Sequence, residues 1–342
     1  MLIRTDPLYP SYLPTRPEGY TSNIDVPFFE ADERALRADP ALPELDNGST
    51  QLTNITPRVG TEIRGIQISS LSKDGLDQLA LLAAQRGVLV FRNQDFADIG
   101  PNRQRDIVRH YGPLHLHPTM GYPEGTGPEF HVVYADEKVG SIRDLLGPHT
   151  SYDLWHVDQT FTPNTPGPTF FWVLETPANG GGDTAFTNLA AAYEALSPAF
   201  RETLLGLDLY HTSASVGEIG RIGTERALKE AVNTIHPLVI EHPVTRKPVL
   251  FVNPTIAQRV VGFKPEESAH LLNFLHSHIK SLDFSCRVRW EPGTVVVWDQ
   301  RTVAHSAVPD FEEGARRHMV RIIPYGAKPR AARDSIAQVH QN

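Results

Sequence analysis

Trp155-His156-Val157-Asp158 is the stretch from which the rest of the chain is read, with His305 far downstream as a third candidate. His156 and Asp158 are two apart, and on a strand that spacing points both side chains to one face. A strand end can then present an imidazole nitrogen and a carboxylate oxygen to the same ion. Two histidines and one carboxylate on one side of a metal leave positions open on the other, as non-haem Fe(II) oxygenases require. A lone His-x-Asp arises often by chance. It gains weight here from Trp298-Asp299-Gln300-Arg301-Thr302-Val303-Ala304-His305 and from Arg316-Arg317-His318-Met319-Val320-Arg321.

The second of these stretches carries its own geometry. If residues 316–323 form a strand, Arg317 and Arg321 share one face and Arg316 takes the other. Arginine suits a carboxylate because its planar fork can bond both oxygens. Two guanidiniums in one cavity repel, and an unpaired buried charge costs several kcal/mol. Two anions, or a wet cavity, are therefore expected there.

Composition narrows the partners. The 342-residue chain has a formal net charge of -8, 40% apolar residues and no long basic run. Nucleic acid and anionic membranes are disfavoured as partners. The local positive cluster at Arg316, Arg317 and Arg321 suits a small anionic ligand instead. Cys286 is the one cysteine, which excludes an internal disulfide and a multi-cysteine metal site. It reads as an inert, half-buried thiol. No apolar leader and no membrane-length apolar run is visible, so a soluble cytoplasmic protein is expected.

Residues 1–50 read as an extended arm. Pro7, Pro10, Pro14 and Pro17 forbid a long helix, while Tyr9, Tyr12, Tyr20, Phe28 and Phe29 argue against disorder. Such an arm packs along its own domain or onto a neighbouring subunit, which points to a homo-oligomer. Residues 51–330 form the main domain and 331–342 a tail. Within the domain, Ser72 caps a helix that Gly87 ends, and Val88-Leu89-Val90-Phe91 is a buried strand. A second helix spans 102–111. Strands are expected over 130–134, 170–175, 249–252, 287–290, 294–298 and 316–323, and helices from Leu189, from Ser197-Pro198 and over 264–280. Gly180-Gly181-Gly182 predicts a tight connection with close backbone approach. His270, His276 and His278 read as solvated helix histidines. In Leu114-His115-Leu116-His117-Pro118 the alternation turns both imidazoles to one face, and His117 is favoured over His115 as a cavity residue. Residues 119–150 read as a lid or binding loop, and 211–236 as an excursion from the core. Many short strands without regular strand–helix alternation point to a mainly β fold with flanking helices, a double-sheet jelly roll.

Taken in order, these motifs resemble the taurine dioxygenase family of Fe(II)/2-oxoglutarate-dependent dioxygenases, which includes alkylsulfonate and phenoxyacetate oxygenases. The resemblance runs from about Thr53 to Lys328. It is carried by Leu114-His115-Leu116-His117-Pro118, Trp155-His156-Val157-Asp158, Gly181-Gly182-Asp183-Thr184, Ala191-Ala192-Tyr193-Glu194-Ala195-Leu196-Ser197, Leu250-Phe251-Val252-Asn253, Val297-Trp298-Asp299, and His305 with Arg316, Arg317 and Arg321. It implies a double-stranded β-helix with Fe(II) held by His156, Asp158 and His305. It implies 2-oxoglutarate as cosubstrate, its distal carboxylate on Arg317 and Thr184, and O2 as oxidant. A small anionic substrate such as an alkylsulfonate would be received by Arg321 and touched by His117. The implied reaction is hydrogen abstraction and hydroxylation with release of succinate and CO2.

The chain departs from the taurine users in the pocket. Tyr152 stands where they carry an asparagine, Met120 where they carry a tyrosine, and Pro254-Thr255 where they place an aromatic residue. A larger or more apolar anion fits these changes. So does an amino acid or other carboxylate, with hydroxylation, desaturation or cyclisation in a biosynthetic role. Two further readings keep the shell: a non-catalytic binding protein, and a zinc or manganese hydrolase or isomerase of the cupin kind. The first requires a lost ligand, and here all three ligands are present.

Overall fold

Alternation along a few strands decides how the layers stack. The computed structural model describes residues 6–15, 28–117, 120–137, 154–214, 231–312 and 314–332. Ten strands matter for the site: β1 (Gln51–Asn54), β2 (Thr61–Arg64), β3 (Val88–Phe91), β4 (His131–Ala135), β5 (Pro168–Glu175), β6 (Thr184–Asn188), β7 (Ser285–Val288), β8 (Val295–Asp299), β9 (Val303–Ala307) and β10 (Arg317–Ile322). A seven-stranded sheet has the order β1-β2-β3-β8-β5-β10-β4, and a three-stranded sheet the order β7-β6-β9. The β2–β3 pair is parallel, and the remaining pairs of both sheets are antiparallel.

Val295 and Val297 of β8, Phe170 and Trp172 of β5, and Val320 and Ile322 of β10 pack with helix α1 (Lys73–Arg86) and with Ile107 and Val108 of α2 (Pro101–Arg109). Their neighbours Val296, Trp298, Val173 and Met319 pack instead with Phe186, Cys286, Val288 and Val303 of the small sheet. A period of two therefore gives the large sheet one face toward helices and one face toward the second sheet. The coarse expectation of a mainly β fold with flanking helices holds.

Local signals act as expected. The Ser72 hydroxyl accepts the Gly75 N–H at 3.1 Å, and Gly87 closes α1 at φ +76. Ser197 caps the helix Pro198–Leu204 by accepting from Phe200 N–H. Cys286 is buried, and burial pushes its thiol up to about 12. Among the helix histidines His270 is exposed as expected, while His278 differs from the expectation. His278 bonds the Ala192 carbonyl at 2.7 Å and stacks on Phe274, because it lies on the flank of Pro265–His278 rather than its solvent face.

The described part of the arm packs on its own chain. Tyr12 is buried, its hydroxyl donates to the Ala97 carbonyl at 2.8 Å, and its ring meets Trp172 edge-on. Glu33 reaches Arg301 at 2.6 Å, and Arg301 grips Asp299 through Nε and Nη2, both at 2.8 Å. Among the described residues no helix is long and apolar enough to cross a membrane. Much of the expected lid (119, 138–150), the middle of the excursion (215–230) and the tail from 333 lie outside the described residues.

Candidate active site

The metal-ligand candidates come together between the two sheets. His305 lies on β9, and His156 faces it across an isolated antiparallel bridge in which each backbone N–H donates to the other's carbonyl at 2.9 Å. The two rings are 4.2 Å apart. Asp158 does not follow His156 on a regular strand; it sits in a turn, and a side chain far along the sequence fixes it. Gln300 accepts the Asp158 backbone N–H at 3.1 Å and donates to its carboxylate at 2.5 Å. Nε2 of His156 is 3.6 Å from one Asp158 oxygen and Nε2 of His305 is 3.8 Å from the other. One ligand atom from each residue lies within 4.8 Å of the other two.

Protonation suits a cation. His156 Nδ1 lies 2.7 Å from the Leu154 carbonyl, which can only accept, so Nδ1 carries a proton and Nε2 is the nitrogen that faces Asp158. The His305 ring is held between Trp298 and Phe186, and its Nδ1 is buried with no partner among the described residues. Burial and the neighbouring His156 press its pKa down to about 3, so it is neutral at pH 7. Burial works to raise the Asp158 pKa, but Arg321, His305, His156 and Gln300 outweigh it and keep the carboxyl ionised. Two imidazoles and one carboxylate, without thiolate, fit Fe(II).

The arginines stand as the alternation on β10 predicted. Arg317, Met319 and Arg321 face the small sheet, while His318, Val320 and Ile322 face the helices; Arg316 points away and bonds the Asp6 carbonyl. Their neutralisation differs from the expectation of two anions. Nη1 of Arg321 donates to both Asp158 oxygens, at 2.8 and 2.9 Å, so one guanidinium already has a protein carboxylate. Arg317 donates through Nη2 to the Gly182 carbonyl at 2.7 Å and lies over the Phe311 ring.

The triple glycine explains that contact. Gly182 has φ +74, and a Cβ there would fall 2.6 Å from Arg317 Nε. Its N–H is fixed by Asp310 at 2.9 Å, and Arg287 ties Asp310 to Asp183. Thr184 opens β6 two residues after Gly182, which puts it beside the same connection.

His115 is buried and His117 partly so, their rings 6.0 Å apart, while Leu116 is exposed. The alternation is real, but both imidazoles turn inward. Met120 donates its backbone N–H to His117 Nδ1 at 3.2 Å. Tyr152 lies outside the described residues. Three residues were given no role from sequence, although Asn253 and Gln300 stand within quoted motifs. Gln300 clamps Asp158, and His131 on β4 accepts from Arg321. Asn253 supports the turn beneath the ligands, donating to the Val157 carbonyl at 2.6 Å and to Thr160 at 2.8 Å. Gln300 sits inside the Trp298–His305 stretch, which was the available signal.

A profile of the family described as taurine catabolism dioxygenase TauD, TfdA matches residues 51–323. The alpha-ketoglutarate-dependent dioxygenase cnsM of Penicillium expansum is 44% identical over 327 residues, covering 94% of this chain and 90% of its own length. The alpha-ketoglutarate-dependent sulfonate dioxygenase of Saccharomyces cerevisiae is 40% identical, covering 94% of this chain and 78% of its own. Among solved structures, a taurine dioxygenase from Burkholderia xenovorans superposes with a TM-score of 0.68 at 28% identity, over 83% of this chain and 91% of that one. Since the profile covers most of the chain and the relatives nearly all of it, the chain belongs to the taurine catabolism dioxygenase family and is an enzyme of it, a dioxygenase.

Proposed function

We propose that this enzyme is an Fe(II)- and 2-oxoglutarate-dependent dioxygenase that oxidises a small monoanion, an alkylsulfonate before others. The observation that carries the reading is the cluster of His156, Asp158 and His305 with Arg321 bonded to Asp158 and Arg317 four residues away on the same strand. The two facing sheets are read as the double-stranded β-helix. His156, Asp158 and His305 would hold the iron, which supplies the oxidising chemistry once cosubstrate and O2 are bound. Arg317 would take the distal carboxylate of 2-oxoglutarate, with Thr184 beside it, and Arg321 with His117 and Met120 would line the substrate end.

Charge favours a monoanion. Asp158 cancels one of the two cavity guanidiniums, and Fe(II) and doubly ionised 2-oxoglutarate cancel each other. One positive charge then remains, and a buried charge without a partner is costly. The name of the yeast relative supports a sulfonate. A second reading, a larger carboxylate in a biosynthetic step, is favoured by Met120 beside His117.

Two titrations test the division of labour. Arg317→Ala should raise the KM for 2-oxoglutarate about 30-fold and leave that for the anion within about 3-fold, since truncating one side of a buried charge pair costs ~2–5 kcal/mol. Gly182→Ala should act in the same direction by about 10-fold, because its Cβ displaces the same guanidinium at a backbone angle that disfavours alanine. Arg321→Ala should reverse the pattern. Equal loss of both affinities in the two arginine variants would contradict the assignment.

A further inference from the structure

His131 opens β4 and pairs in register with Arg321 on β10, so both side chains leave their strands on the cavity side. Nη2 of Arg321 meets His131 Nδ1 at 2.7 Å, while Nη1 holds both oxygens of Asp158. A guanidinium can only donate, so His131 Nδ1 is bare and the ring is neutral with its proton on Nε2. His117 is fixed in the same tautomer, since its Nδ1 accepts the Met120 backbone N–H. The two rings lie 4.2 Å apart, which holds His131 from its other side.

The consequence falls on Arg321. A guanidinium beside a buried carboxylate tends to engage it through two nitrogens in a fork. Here His131 takes the second arm, so Asp158 receives Nη1 alone. Nε–H is buried without a partner among the described residues, and one Nη2 hydrogen remains after the bond to His131.

We propose that His131 is the positioning residue for Arg321: it holds Nη2 away from the metal-binding carboxylate and so keeps the Nε side of the guanidinium available to the anionic head of the substrate. Resting on the reading of Arg321 as the substrate anchor, this adds the residue that makes the anchor usable. His131→Phe removes the acceptor at similar bulk, and the guanidinium then folds onto Asp158. His131→Gln restores an acceptor and a donor.

The test is anion binding to protein loaded with Mn(II) and 2-oxoglutarate without turnover, using an alkylsulfonate, an alkyl sulfate ester and a carboxylate of equal chain length. For the anion the wild type binds most tightly, His131→Phe should weaken binding 10-fold or more and leave 2-oxoglutarate affinity within about 2-fold. His131→Gln should recover to within about 3-fold. In an Arg321→Ala background, His131→Phe should change nothing further, the signature of two residues acting as one. In metal-free protein the imidazole nitrogen spectrum should show bare Nδ1 and protonated Nε2 on His131, with the Nδ1 signal moving in Arg321→Ala. Wild-type affinity in His131→Phe, or an effect that adds fully to that of Arg321→Ala, would overturn the assignment alone. A wild type that bound none of the three anions would overturn the anchor reading and this inference with it.

Discussion

Asp158→Ala is expected to abolish turnover and to lower the stability of the metal-free protein by about 3–5 kcal/mol, because it strands the buried Arg321 charge. His156→Ala should abolish turnover equally, by about a thousandfold or more, at a stability cost of about 1 kcal/mol. Its ring is 23% exposed and its Nδ1 bonds a single carbonyl, that of Leu154. The two variants share a catalytic phenotype and differ in the fold, which separates the two duties of the carboxylate. Urea unfolding with chelator present reads the difference. Equal midpoints would mean that Arg321 does not depend on Asp158. Normal turnover in either variant would remove the metal assignment.

The second large effect is acid unfolding driven by histidines rather than carboxylates. Burial and neighbouring positive charge hold His211 and His115 at about 3, and burial holds His236 at about 4, against an ordinary 6.5. Each is therefore neutral in the folded chain well below the pH at which the unfolded chain protonates it. Their contribution is fully present above about pH 6.5 and is lost as pH falls from there toward 4, at ~1.4 kcal/mol per pH unit for each group. Three such groups give a slope of about 4 kcal/mol per pH unit, against a total of ~5–15 kcal/mol for a typical domain. Tryptophan fluorescence should then show the urea midpoint falling steeply from pH 6.5 toward pH 4, with about 6 kcal/mol lost by pH 5, before Asp158 or Asp299, both held far below the usual carboxylate range, take up a proton. A urea midpoint that stays level from pH 6.5 to pH 4 would show that these imidazoles reach solvent or partners.

What the sequence revealed follows the range of each signal. Ser72 and Gly87 are local, since their cap bonds reach only three or four residues, and both were readable. The period-two pattern of Arg317, Met319 and Arg321 is local as well, and it separated the cavity arginines from Arg316 without any knowledge of the sheet. His156, Asp158 and His305 could be grouped as candidates because few chemistries need those donors together, and their side chains do meet. The devices that hold them were not. Gln300 reaches Asp158 across 142 residues and Asn253 reaches Val157 across 96, with no periodicity to announce either. His131 is an ordinary residue at the start of a short strand until the register places it opposite Arg321. Strand order was beyond reach for the same reason: β8 sits between β3 and β5, which only long-range pairing decides. The H-x-D spacing picked out two residues that do cluster with His305, but through an incorrect local picture, for a glutamine clamp rather than a strand pleat orients the carboxylate.

The measurement that reaches the central claim most directly couples two signals in one vessel. O2 consumption and succinate formation are followed with Fe(II) and 2-oxoglutarate, with and without alkylsulfonates, alkyl sulfate esters, carboxylates and a dianionic phosphonate. One succinate per O2, stimulated at least about 10-fold by monoanions and led by the sulfonates, is the predicted result. Succinate formation that ignores every anion, or needs no 2-oxoglutarate or iron, would contradict the account.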